Sequence, residues 1–529
     1  MELNGASRSA SQRMRSTLLN LAIVLAGARL CSVAPALAAG SATVAKPSSQ
    51  IVTHELTPAQ LQADFQRLRF TLAHADAGLY RYTPKAEMDS RLDAVARRLN
   101  RPMTDLEFYR LLSPLIAAIR NSHTSIKPPA DALKSIRAYD DTFPFVLRYR
   151  EGKAYIEANL SADASIRPGM EVVGLNGRPM AEVTRTLMDG RSAEGFADEV
   201  KYGRLNQSFW EDLLLHVGPS ASYSLEIRDP ANGATSRHQV TGVPAQTVAV
   251  HVRETPPATG PPLSLTIDRE GSVAVMRLRN FIEPDTDAFF RKAFHDIAAS
   301  GVRNLIIDLR GNHGGIDWYN SDLLSYLSDQ PFRFYLDRTL KPKSYDDLKY
   351  LTYTLDDFLF PDQIVALPAT VREHPFEHWT LRQLVDLSLA TDHAGGIQRP
   401  KIVDHFSGHV YVLIDNLSGS SSAEVPAMMQ HLGLATIIGE EPDGSYQGET
   451  AGIIPTLTLP NSKLTVHVPL LLYQNDVMPG VRIGRGVEPT FTVSETLEDS
   501  IAGVDTVMTF TRTLIRARAE GKVPVAPAP

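Results

Sequence analysis

The sequence predicts an α/β protein whose strand-and-helix half is preceded by a helical region and a β-rich region. Three observations carry that expectation. Residues 54–140 show the 3.6-residue apolar period of amphipathic helices, residues 141–250 break into short β-rich runs divided by turn dipeptides, and from residue 264 buried strand patterns alternate with helical ones. The length of 529 residues suits such a division, since domains commonly take about 150 residues each.

In chain order, Arg8, Arg13 and Arg15 precede the apolar run "TLLNLAIVLAGA", and Ala36–Ala38 supply an A-x-A site. This order reads as a secretory signal peptide over residues 1–38, too short to span a membrane. The single cysteine, Cys31, lies inside it, so the expected mature chain has no disulfide and depends on its cores. Loss of those residues removes four Arg and one Glu and takes the formal charge from −7 to −10. So acidic a chain lacks the general basic surface that nucleic-acid binding needs. The expected location is periplasmic or secreted.

Thr57, Pro58 and Gln60 form a helix start with a capping box, and Leu61, Phe65, Leu68 and Leu72 continue one apolar face. Thr104 and Glu107 repeat the box, and the second pattern ends at Ile119, just before Ser122 and His123. Pro114 is expected to kink this helix. In the β-rich region, "MEVVGL" reads as a strand and Asn176-Gly177 as a hairpin turn. The proline-rich stretch 254–263 reads as a linker. Beyond it come the strands "SVAVMRL" and "NLIIDL" with a helix over 285–300 between them, then "HVYVLI" and "LATIIG" around a helix beginning near Ala423. Residues 330–405 read as an aromatic-rich insertion, and residues 519–529 as a disordered tail.

Three segments hold residues of chemical interest. In "NLSGSSSAEV", Ser421 sits between a strand and a helix, where orphan N–H groups and the helix dipole favour an alkoxide and an oxyanion. The same place equally suits a serine that only caps the helix. "LIIDLRGNHGG" puts Gly311, Gly314 and Gly315 after a buried strand, either as a tight turn or as a backbone cradle for a ligand. "RNSHTS" offers His123, whose side chain is the one best matched to proton transfer at neutral pH, although a histidine after a helix also serves as a cap.

Together, in this order, these segments resemble the tail-specific, or C-terminal processing, serine protease family, in particular its tricorn-core-like branch. The resemblance covers most of the mature chain. It implies an N-terminal helical domain over 54–140, a PDZ-like domain over 141–250 around "IRPGMEVVGLNGRPM", and a crotonase-like α/β catalytic domain over 264–518 that closes on "GRGVEPTFTV". It implies Ser421 as nucleophile, His123 as general base and Ser122 as the hydroxyl beside the base. It further implies an oxyanion hole from the backbone of Gly314 and Ser422, with Gly315 or His313 as alternatives to Gly314. A glutamate completes the set in that branch, and Glu488 and Glu449 are the candidates. Relatives with a Ser-Lys dyad carry a lysine after a "VGE" strand; here "IIGEEPDGSYQGE" has none, which favours His123 as base.

Two other motifs compete. "HPFEH" at 374–378 has the H-x-x-E-H zinc pattern, but Pro375 opposes the single helical turn that both histidines would have to share. "GSSSA" approaches the elbow of α/β-hydrolases, which place their histidine after the nucleophile. Neither a cofactor nor a metal is expected. The expected partner is a peptide or an unfolded polypeptide, with homo-oligomerisation open. The rival expectation is a non-catalytic binder of apolar ligands on the same fold.

Overall fold

Two capping boxes set the first helices, as local sequence dictates. In a computed structural model describing residues 50–252, 260–354, 376, 379–390 and 396–522, Thr57 Oγ1 accepts the Gln60 N–H at 3.4 Å and Gln60 Oε1 accepts the Thr57 N–H at 2.9 Å. Helix α1 (Pro58–Ala75) follows, burying Leu61, Phe65, Leu68 and Leu72. After α2 (Lys85–Arg98), Thr104 and Glu107 make the same reciprocal pair and start α3 (Asp105–Ala117), which holds Pro114 inside it. The chain leaves α3 through Arg120 at φ +61° and delivers Ser122 and His123 to a turn. That turn is anchored next door, where Ser125–Lys127 pairs antiparallel with Thr465–His467. The signal segment, the tail beyond residue 522, and most of both the linker and the "HPFEH" motif lie outside the described residues. Among the described residues no helix is long and apolar enough to cross a membrane.

The β-rich region is an antiparallel sheet of six strands: β1 (Phe145–Arg150), β2 (Lys153–Asn159), β3 (Glu171–Leu175), β4 (Ser222–Arg228), β5 (Thr235–Thr241) and the two-residue Arg178–Pro179, which pairs with β3. Asn176 and Gly177 turn the chain at φ +50° and +75°, as the dipeptide predicts. Helices α4 (Met180–Asp189) and α5 (Val200–His216) cover one face through Val183, Leu187, Leu205, Phe209 and Leu213. At about 1.5–3 kcal/mol for each such side chain, this apolar contact, rather than the surface ion pairs, holds the region together.

The second large sheet has six strands in sequential order: β6 (Leu263–Asp268), β7 (Val273–Leu278), β8 (Asn304–Asp308), β9 (His409–Ile414), β10 (Ala435–Gly439) and β11 (Phe491–Thr492). Only the β6–β7 pair is antiparallel. Alternation along β7–β10 divides the side chains between two faces. Ala274, Leu305, Ile307, Val410, Val412 and Ile437 join the main core, on the side of α6 (Thr286–Ser300) and α7 (Asp317–Ser325). Val273, Ile306, Tyr411, Leu413 and Ile438 pack under the last helix, α9 (Thr506–Ala519). The insertion is tied in as well, since its strand Tyr335–Leu340 pairs with Leu471–Asn475.

Two boundaries differ from expectation. The helix after β9, α8, begins at Ser421 rather than near Ala423 and carries Pro426 within it. The Ser420 carbonyl accepts both the Ala423 N–H (2.7 Å) and the Glu424 N–H (3.1 Å), which tightens the first turn and moves the start forward. Of the closing segment, only Phe491–Thr492 is strand.

Candidate active site

Three loops leave the C-terminal ends of parallel strands, where ligands of open α/β sheets bind. The glycine turn follows β8, the serine segment follows β9, and residues 440–449 follow β10. The serine segment is pinned from both sides. Ser418 Oγ donates to Leu309 O (2.9 Å), the Gly419 N–H donates to Asn312 O (2.9 Å), and the Asp443 N–H donates to Ser418 O (2.8 Å).

Within that frame Ser420 and Ser421 have different surroundings. Ser420 is the residue before the helix, at φ +52° and ψ −131°, a conformation in which non-glycine residues are rare. It is partly accessible and lines a cavity of about 150 Å³ with Ser122, His123, Arg204, His313, Leu417, Gly419 and Asp443. Ser421 has no exposed surface, and its hydroxyl points to Gly315 O (3.2 Å) and Asp317 Oδ1 (3.4 Å). Sequence reasoning put the nucleophile on Ser421, whereas it is the neighbouring Ser420 that shares the cavity with His123.

The same one-residue shift affects the backbone donors. The Ser422 N–H is donated to Gly419 O (3.0 Å) and the Gly314 N–H to Asn312 Oδ1 (2.8 Å). Because the Ala423 and Glu424 N–H groups are also taken, the Ser421 N–H is the first-turn donor that the helix leaves over. Gly314, at φ +95°, lies directly beneath the serine: a Cβ there would come within 2.6 Å of Ser420 Cβ and 3.0 Å of Ser421 N. This close approach, not turn formation alone, requires a glycine.

His123 is positioned by its own turn. Its N–H donates to Asn121 Oδ1 (2.8 Å), Asn121 Nδ2 bonds Thr450 Oγ1, and Ser122 Oγ lies 3.3 Å from His123 Nδ1. Burial pushes the imidazole down to about 4, with Asp443 opposing and Arg204 reinforcing the shift, so the ring is neutral at physiological pH. Arg204, from α5, forms an ion pair with Asp443 at the cavity wall.

A cluster of buried carboxyls backs the serine. Glu449 is raised well above the usual carboxylate range by burial and then by Glu424 and Glu194. Among the described residues neither of its oxygens has a hydrogen-bond partner, and the nearby Ser420 hydroxyl offsets the burial only in part. Glu424 accepts from Tyr335 OH (2.8 Å) and is pushed up to about 8 by burial and by Asp317. Glu488, the other expected glutamate, stands apart: its side chain is 71% exposed and pairs with Arg482 (2.7 Å). Glu194, Asp443 and Arg204 were not singled out by sequence reasoning, because nothing local marks a charged residue that meets the Ser122–His123 turn only through the fold. Among the described residues no lysine lines the cavity.

Residues 272–493 match the family model Peptidase family S41. No curated protein matches the chain in sequence. Among solved structures, "Crystal Structure of mature CPAF" shares 17% identity with a TM-score of 0.58, covering 88% of this chain and 99% of its own. "Structure of mature CPAF complexed with lactacystin" shares 18% at a TM-score of 0.57, covering 87% and 99%. At those identities the likeness is one of fold, and at 87–88% of this chain it extends well beyond the matched segment. The chain is a mixed α/β protein, and its residues 272–493 match Peptidase family S41, a family of serine-type peptidases.

Proposed function

We propose that this is an exported peptidase that cleaves peptides or unfolded polypeptides through an acyl-enzyme on Ser420, with His123 as general base. The observation that carries it is the pairing of Ser420, held at φ +52° before a helix N-terminus, with a neutral His123 in one polar cavity. Ser420 Oγ attacks the scissile carbonyl carbon as its proton passes to the imidazole. The C–N bond then breaks, the leaving amine takes the proton, and water hydrolyses the ester by the same relay. Ser122 at Nδ1 leaves Nε2 for the travelling proton. The Ser421 N–H and a donor from the 313–315 turn would face the oxyanion, in a setting where one donor contributes about 10²–10³ in rate. Glu449, buried beside Ser420, supports the reading of a serine-histidine-glutamate site.

Finer features of the architecture belong to the same reading: a crotonase-like catalytic domain over 264–518, a PDZ-like domain over 141–250 and a helical domain over 54–140. The PDZ-like sheet would take a peptide tail by strand addition. Periplasmic or secreted location follows from the signal-like residues 1–38. The rival, a binder of apolar ligands, is disfavoured by the cavity. It has about 150 Å³ and is lined by Ser122, His123, Arg204, Ser420 and Asp443, where ligand pockets usually offer about 300–1,000 Å³ of mostly apolar wall.

Fluorophosphonate labelling with the modified residue mapped by mass spectrometry tests the assignment. Label is expected on Ser420. Ser420→Ala is expected to lower kcat by about 10⁴-fold or more, and Ser421→Ala, which removes one long hydrogen bond shared between two acceptors and worth about 1 kcal/mol, to stay within about tenfold. Label on Ser421, with Ser420→Ala still active, would reverse the two roles.

A further inference from the structure

We propose that Glu194, on the segment between α4 and α5, is a positioning residue that sets the His123 turn against the nucleophile loop. This rests on the reading of His123 as base and Ser420 as nucleophile. Residues 192–195 run beside residues 120–124 and bond them at successive points. The Gly195 N–H donates to Arg120 O (2.9 Å), the Ser122 N–H donates to Glu194 Oε2 (3.2 Å), and Ser192 Oγ donates to Thr124 O (2.8 Å). Of the three strap residues, Glu194 also reaches the other side. Its own N–H donates to Asp443 Oδ1 (3.0 Å), and the Asp443 N–H in turn donates to Ser418 O (2.8 Å), two residues before Ser420.

The carboxylate is engaged on both oxygens. Oε1 accepts from Tyr82 OH (3.0 Å) and Arg81 Nη1 (3.3 Å), which leaves Oε2 aimed at the Ser122 N–H. Burying a carboxylate at 2% exposure is unfavourable unless its bonds are filled. Here Arg81 and Tyr82 fill them, and the side chain becomes a fixed stop for the turn that carries the base. A displacement of about 1 Å at such a site costs about 10²-fold in rate. The β-rich region thereby takes part in assembling the active site.

The experiment uses the full mature chain, a peptide substrate and kcat normalised to Ser420 sites titrated by fluorophosphonate. Glu194→Ala keeps the backbone bonds of the strap and removes only the carboxylate. Its kcat per titrated site is expected to fall by about 10–10²-fold with KM within twofold. A residue that only stabilised the fold would lower the site titre and Tm but leave kcat per site unchanged. Glu194→Gln preserves the volume, accepts the Ser122 N–H through its one oxygen and turns an amide toward Arg81, so a smaller loss of about three- to tenfold is expected. Should the Ala variant fail to fold, the Gln variant decides alone. Wild-type kcat per site in a folded Glu194 variant, while His123→Ala is inactive, overturns the positioning role and leaves the catalytic reading intact. Wild-type activity in His123→Ala overturns that reading instead.

Discussion

Glu424 is buried and His123 half-buried, yet the direction of each shift gives stability an opposite dependence on pH. Glu424 rises from 4.5 to about 8, because burial and Asp317 penalise its ionised form. Its contribution is therefore full below pH 4.5 and is lost as pH rises through about 8. His123 falls from 6.5 to about 4, so its contribution is full above 6.5 and is lost as pH drops toward 4. Glu424→Gln keeps an acceptor for Tyr335 OH and cannot ionise. Thermal melts of the variant should lose less Tm than wild type between pH 6 and 9 and match it near pH 5; parallel curves would show that Glu424 is not the group titrating. At this scale the sequence was legible only in part. His123 was readable because it follows a well-marked helix. Ser420, Ser421 and Ser422 are chemically identical, and what separates them is the packing of Gly314 under one Cβ, a contact made across the sheet. Glu449 and Glu488 were likewise equal as letters, and burial alone distinguishes them.

Secondary-structure elements were more legible where their signals are local. Both capping boxes formed as written, because Thr57–Gln60 and Thr104–Glu107 satisfy each other within one turn. The start of α8 lies ahead of the expected Ala423 because a shared Ser420 carbonyl, which no sequence pattern marks, closes the turn there. Helix α9 depends on a residue that does two jobs. Asp505 caps it by accepting the Met508 N–H (2.9 Å) and also receives both Nη atoms of the buried Arg310 (2.7 and 2.8 Å). Arg310 keeps Asp308 as a second partner, so Asp505→Ala should not strand the charge completely. The expected cost is about 2 kcal/mol from the lost cap and paired hydrogen bonds, measured by denaturant unfolding. A change below about 0.5 kcal/mol would mean that solvent already competes for this contact.

Across the whole molecule, the active site draws on regions far apart in the chain. The proposed base, His123, comes from the turn after α3, the strap and Arg204 from the β-rich region, and Ser420 and Glu449 from loops at the ends of β9 and β10. The order of regions could be read from composition and periodicity, but the meeting of Ser122 with Glu194 and of Arg204 with Asp443 could not, because spacing along a chain carries no information about which loops face one another. The backbone of Ser420 has a consequence for how such a protein responds to selection. A non-glycine residue at φ +52° and ψ −131° costs about 1–3 kcal/mol, and glycine there would relieve it. Ser420→Gly is expected to melt above both wild type and Ser420→Ala while hydrolysing nothing; a lower Tm in a calorimetric comparison would refute this. Selection for thermal endurance alone would therefore favour discarding the proposed nucleophile, and only selection for turnover would retain a serine in a position suited to glycine.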